Sequence, residues 1–166
     1  MVFNYYKRLT APQRRAYDKS DAVTSVKIPN ASELHPLIKS LEGALTQENR
    51  EVTESLCQRI ISELMMRLKS PNIIVKVLAA RPHNAYGELY GLYNPASKQF
   101  PAVLTVWMRT AQRRKVVAFR TFLRTLLHEI CHHLDYEYFR FPYSFHTEGF
   151  YKRESSIFHQ LANLKD

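Results

Sequence analysis

The chain has only two cysteines and four glycines in 166 residues, and its 15 acidic residues are outnumbered by 24 basic ones. Cys57 and Cys131 are too few for a disulfide framework, so a reducing interior is the expected compartment. The eight prolines and four glycines form no low-complexity tract, and no internal repeat occurs. The longest apolar runs, such as PAVLTVWM, fall far short of the roughly 20 residues that cross a bilayer. The opening stretch MVFNYYKRLTAPQRR places charges and tyrosines where a secretory leader needs an apolar segment, which predicts a cytoplasmic, intracellular protein. What remains is the composition of one globular domain, with 45% apolar and 23% charged residues.

The excess of base gives a net charge of +9, unevenly spread. Residues 109–124, RTAQRRKVVAFRTFLR, hold six basic side chains and no acid, and the first twenty residues add Lys7, Arg8, Arg14, Arg15 and Lys19 against one aspartate. Such a run is either a solvated face or a contact for polyanions such as nucleic acid.

Residues 1–30 lack clear periodicity and read as a basic N-terminal arm, packed across the surface or partly loose; residues 31–166 read as the folded domain. Leu34, Leu37, Ile38 and Leu41 mark a short helix. Val52, Leu56, Ile60, Leu64 and Leu68 mark a longer one from Thr46 to Lys69, ended by Ser70-Pro71. NIIVKVLA (72–79) has strand character, and 88–94 with 101–108 predicts two antiparallel strands around a polar turn. From Arg113 the helical period returns through Val116, Phe119, Leu123, Leu126, Ile130 and Leu134, and a closing helix is expected from Thr147 to Asn163. The fold class expected is α+β: N-terminal helices, a small mainly antiparallel sheet, a motif-bearing helix and a C-terminal helix.

Four of the seven histidines fall between residues 125 and 151. His128-Glu129-Ile130-Cys131-His132 fits H-E-x-x-H. On a helix, positions four apart differ by about 40° and lie about 6 Å from each other, so both imidazoles reach one ion. A glutamate directly after the first ligand sits beside the ion and takes a proton from a water there. A shuffled chain of this composition would give the pattern roughly 0.02 times. The third ligand is open. Asp135 and Tyr138 occupy the positions where a longer motif would have glycine and histidine. His146 leads, because thirteen residues from His133 to Phe145 let the chain turn back. Glu148 and Glu154 on the closing helix are alternatives. Asp135, seven residues after His128, reads as a group that orients an imidazole, or as a direct ligand. Among the aromatics of YEYFRFPYSF and just beyond, Tyr136, Tyr138, Tyr143 or Tyr151 has a hydroxyl to offer a developing oxyanion, and Tyr151 and Arg153 lie close to the expected ligand. His133, His159, His35, His83 and Cys131 read as packing.

Thr125-Leu126-Leu127-His128-Glu129, then His132, then His146 with Phe150 four residues on, resembles the SprT-like zinc metallopeptidases of the zincin fold. Thr147 stands where that family has glycine, and no cysteine-rich ribbon follows. The resemblance implies one Zn²⁺ on His128, His132 and His146, Glu129 as catalytic acid/base, and a strand edge above the site that holds an extended protein or peptide substrate. The expected function is zinc-dependent peptide hydrolysis. The alternative is a non-catalytic zinc module that binds nucleic acid through residues 109–124.

Overall fold

The computed structural model describes residues 2–163. Five helices and five strands follow in chain order: α1 (Ala11–Ala22), α2 (His35–Thr46), α3 (Arg50–Leu68), β1 (Ile74–Ala80), β2 (His83–Asn84), β3 (Gly87–Glu88), β4 (Gly91–Asn94), β5 (Val103–Arg109), α4 (Phe119–Glu137) and α5 (Glu148–Ala162). The α+β class is as expected. The sheet is mixed rather than mainly antiparallel, although the antiparallel pair expected from 88–94 and 101–108 is present as β4 and β5. Its order is β1-β5-β4, with β1 and β5 parallel and only β4 and β5 antiparallel, while β2 and β3 form a separate two-stranded ribbon. The chain leaves β1, makes the ribbon and β4 on the far side, then returns β5 into the gap. Two short apolar runs carry no signal of this direction, because either orientation buries the same alternate residues.

The expected arm at 1–30 contains a full helix. Thr10 and Gln13 form a reciprocal capping box at its start, and Pro12 occupies the first turn. Its buried face is only Ala16, Tyr17 and Ser20, too narrow a stripe to show as periodicity. Helix α3 begins at Arg50, where the Asn49 side chain accepts from the Val52 amide, rather than at Thr46. Its buried face is Thr53, Cys57, Ile60, Ile61, Leu64, Met65 and Leu68. The expected every-fourth series fails at its first member, since Val52 is exposed and Leu56 half-buried. Steps of four drift about 40° each, so such a series leaves the buried face within a few turns. Helix α4 begins at Phe119 rather than Arg113. Residues 110–117 instead fold back on β5, with the Val117 amide donating to the Met108 carbonyl (2.8 Å) and that of Thr110 to Lys115 (2.9 Å).

One hydrophobic core joins the inner faces of α2 to α5 and the sheet, through Leu41, Ile60, Leu64, Val77, Leu104, Leu126, Ile130, Phe150 and Phe158 among others. The two outer edges of the sheet are treated differently. Along β1, α3 side chains satisfy the free backbone: Val75 and Val77 amides donate to Gln58 Oε1 (2.9 Å) and Glu54 Oε2 (2.8 Å), while Arg50 donates to the Val77 carbonyl (3.0 Å). Among the described residues β4 pairs with β5 alone, and its other edge faces a cleft.

Candidate metal centre

The amphipathic stripe of α4 fixes which side chains reach the cleft. With Phe122, Leu126, Ile130 and Leu134 in the core, His128 and His132 emerge together one turn apart on the flank. After the helix the chain turns through Phe139 to Phe145 and brings His146 back over them. Thr147 then caps α5 by accepting from the Phe150 amide (2.9 Å). The three imidazoles form a triangle with ring centroids 4.8 to 5.1 Å apart. Phe150, fully buried, lies beneath all three at 4.9 to 5.2 Å.

Hydrogen bonds at the back of two rings set their tautomers. Ser144 donates its hydroxyl proton to Asp135 Oδ2 (2.7 Å), and its oxygen faces His132 Nδ1 at 2.7 Å. The oxygen therefore accepts, His132 Nδ1 carries the hydrogen, and Nε2 keeps its lone pair. His128 Nδ1 in turn lies 3.0 Å from Glu154 Oε2, which only accepts, so in the neutral ring His128 Nε2 is also a bare lone pair. Both Nε2 atoms point at His146 Nε2, at 3.1 and 3.0 Å. His146 Nε2 has at most one hydrogen, so at least one of these contacts sets lone pair against lone pair. A shared cation removes that conflict, and nitrogen ligands around tetrahedral zinc lie about 3.3 Å apart. The donor set therefore fits a metal, and among the described residues this is the one such cluster. Burial, reinforced by the other two imidazoles, drives His132 down to about 3; burial and His128 also lower His146. Protons are poor competitors at these two rings.

Glu129 lies on the cleft side of α4 and is largely buried, its carboxylate against the backbone of Gly91 in β4. Burial pushes it up to about 6, with Glu154 adding to the rise and His128 opposing it. Asp135 is raised to about 6 by burial, against the pull of Arg153 and Ser144. Arg153 is itself buried and ties three elements together. It donates to Asp135 Oδ1 (2.9 Å), and to the Ser20 and Val23 carbonyls at the end of α1 (both 2.6 Å).

His128, His132 and His146 are thus brought together, with Glu129 lining the same cleft. Asp135 acts on His132 only through Ser144. Glu154 sits behind His128 and also faces Arg124 at 3.6 Å. Glu148 is engaged by Lys152 (2.8 Å), outside the cluster. Of the tyrosines considered, Tyr136 and Tyr151 line the cleft, whereas Tyr138 meets Phe139 edge-on and Tyr143 packs tilted against Phe145. Ser144 carried no signal: a lone serine in an aromatic loop has neither motif nor period. His133 bridges elements, between the Tyr93 hydroxyl (2.8 Å) and the Pro71 carbonyl (2.7 Å).

The cleft has a volume of about 820 Å³. It runs between β4 and α4, lined from Thr121 and Arg124 near the start of the helix to Tyr136 near its end. Among the described residues no helix is long and apolar enough to cross a membrane. No family model matches the chain, and neither a curated protein nor a solved structure matches it.

Proposed function

We propose that the chain is a zinc-dependent metallopeptidase of the SprT-like, zincin type. In it His128, His132 and His146 hold one Zn²⁺ and Glu129 is the general base. The observation that carries this reading is the convergence of three imidazole Nε2 atoms in an open cleft that a desolvated carboxylate also lines. When bound, zinc supplies the Lewis acidity that brings a water's pKa to about 7 and polarises a substrate carbonyl. The imidazole set favours zinc over harder cations, and the buried Cys131 thiol stands apart from it.

The remaining work falls to the chain's own groups. Glu129, held near 6, takes a proton from the attacking water and returns it to the departing amine. The Tyr151 hydroxyl, at the rim beside His128 and His146, donates to the carbonyl oxygen as charge develops there. An extended peptide pairs with the free edge of β4, its side chains alternately meeting Leu89 and Leu92 or solvent. Thr121 and Tyr136 are fifteen residues apart on α4, about 22 Å. The cleft thus has room for substrate on both sides of the imidazoles, which suits an endopeptidase.

Glu129→Gln tests the reading. The variant should retain one zinc per chain and lose at least about 10²-fold in peptide cleavage. Undiminished cleavage would overturn the assignment of the base, and a wild-type chain that takes up no zinc would overturn the metal centre.

A second reading, nucleic-acid contact through residues 109–124, is favoured by one observation. Arg113, Arg114 and Lys115 stand exposed together on the turn between β5 and α4. The other three basic residues are engaged: Arg109 with Glu48, Arg120 over Phe158, and Arg124 with Glu154 and Phe158.

A further inference from the structure

His146 is the one imidazole of the three carried by a loop, and a loop ligand is only as well placed as the contacts that hold its backbone. Its Nε2 faces the other two imidazoles and its ring packs against Phe150 and Tyr151, while a separate contact holds its main chain. That contact comes from the far end of the sequence. The Tyr5 hydroxyl donates to the His146 carbonyl at 3.0 Å, across 141 residues. The Tyr5 ring lies 6.3 Å from Phe145 and 5.8 Å from Tyr17, which is fully buried. Tyr17 accepts from the Phe3 amide (3.2 Å), and Phe3 sets its edge against Tyr151 at 6.4 Å. Further along α1, Asp21 Oδ1 accepts from the Gly149 amide (2.9 Å), and Ser20 Oγ lies 3.4 Å from Thr147 Oγ1. No side chain fits at Gly149, because its Cβ would strike the Asp21 carbonyl. Residues 3–21 therefore grip the chain on both sides of the third imidazole, from Phe145 to Tyr151.

We infer that the N-terminal segment is a clasp that seats the third imidazole, with Tyr5 as its positioning residue. The inference rests on the reading of His128, His132 and His146 as a metal site. Tyr5 touches neither metal nor substrate. It holds the His146 main chain so that the imidazole reaches the point where the other two already converge. Metal affinity is then set partly by a segment outside the ligand motif.

The test is zinc affinity of the full chain by competition with a chelating dye, with the Co²⁺ form read by its visible absorption. Tyr5→Phe keeps the ring against Phe145 and Tyr17 and removes only the hydroxyl. Loss of one hydrogen bond predicts roughly threefold to tenfold weaker zinc binding and an altered Co²⁺ spectrum. Tyr6→Phe is the control. It removes a hydroxyl of the same segment, bonded to Asp18 Oδ2 at 3.1 Å, and should leave both readouts unchanged. In a His146→Ala background, Tyr5→Phe should cost nothing further, because the group it positions is gone. Three results would each overturn the clasp: wild-type affinity and spectrum for Tyr5→Phe, equal weakening by Tyr6→Phe, or an undiminished effect in the His146→Ala background. Failure of the wild-type chain to bind zinc or Co²⁺ would instead strike the metal site itself, and the clasp with it.

Discussion

At position 91 a methyl group would sit 2.6 Å from Glu129 Oε1 and 2.9 Å from its Cγ. Glycine here provides the space in which the carboxylate lies. The atom it would strike is the end of a flexible side chain, so in Gly91→Ala the carboxylate moves and the backbone stays. The expected outcome is a near-normal melting temperature and full zinc content, with peptide cleavage down about 10²-fold, the usual consequence of displacing a reacting group by about 1 Å. Melting far below wild type would show that the strand, not the side chain, gives way. Residues such as this mark where the sequence stops being legible. His128, Glu129 and His132 are readable because the helix imposes a spacing on them. His146 is readable only as a histidine within reach of a returning loop. Gly91 and Ser144 come to the site from a strand and a loop, where nothing in the local pattern ties them to α4.

At the scale of elements, periodicity located α2, α3 and α4, the closing helix α5 was marked by Thr147 and Glu148 at its start, and periodicity failed where the buried face was narrow or the partner ambiguous. Helix α1 had a different signal, the Thr10-Ala11-Pro12-Gln13 start, which is a capping pattern independent of any apolar stripe. The parallel pairing of β1 with β5 had none. It depends on where the chain goes between residues 81 and 102, and strand composition does not encode that route. Helix α2 offers a direct test of element stability. Gly43 lies exposed within it, and an added Cβ there meets nothing within 4 Å. Gly43→Ala should stabilise the fold by about 0.4 to 1 kcal/mol, mainly by restricting the unfolded chain. Urea unfolding would show this as a higher midpoint at unchanged slope, and a lower midpoint would contradict helical backbone at that residue.

Taken over the whole molecule, the net charge of +9 is less available than the sequence suggests. Within 109–124, ion pairs and ring contacts occupy Arg109, Arg120 and Arg124, leaving three side chains to meet a phosphate backbone. Binding of duplex DNA through this run should therefore show a log–log salt slope of about −2.7. A slope near −5 would mean that all six basic residues are released to the contact, and no binding at low salt would remove nucleic acid from consideration. The two edges of the sheet have a last consequence. Because α3 side chains seal β1, among the described residues the open edge of β4 is where the sheet can add a strand, whether from a bound peptide or from another copy of the chain. Self-association through the sheet and occupation of the cleft are then mutually exclusive, so a peptide seated there also acts as a guard against aggregation.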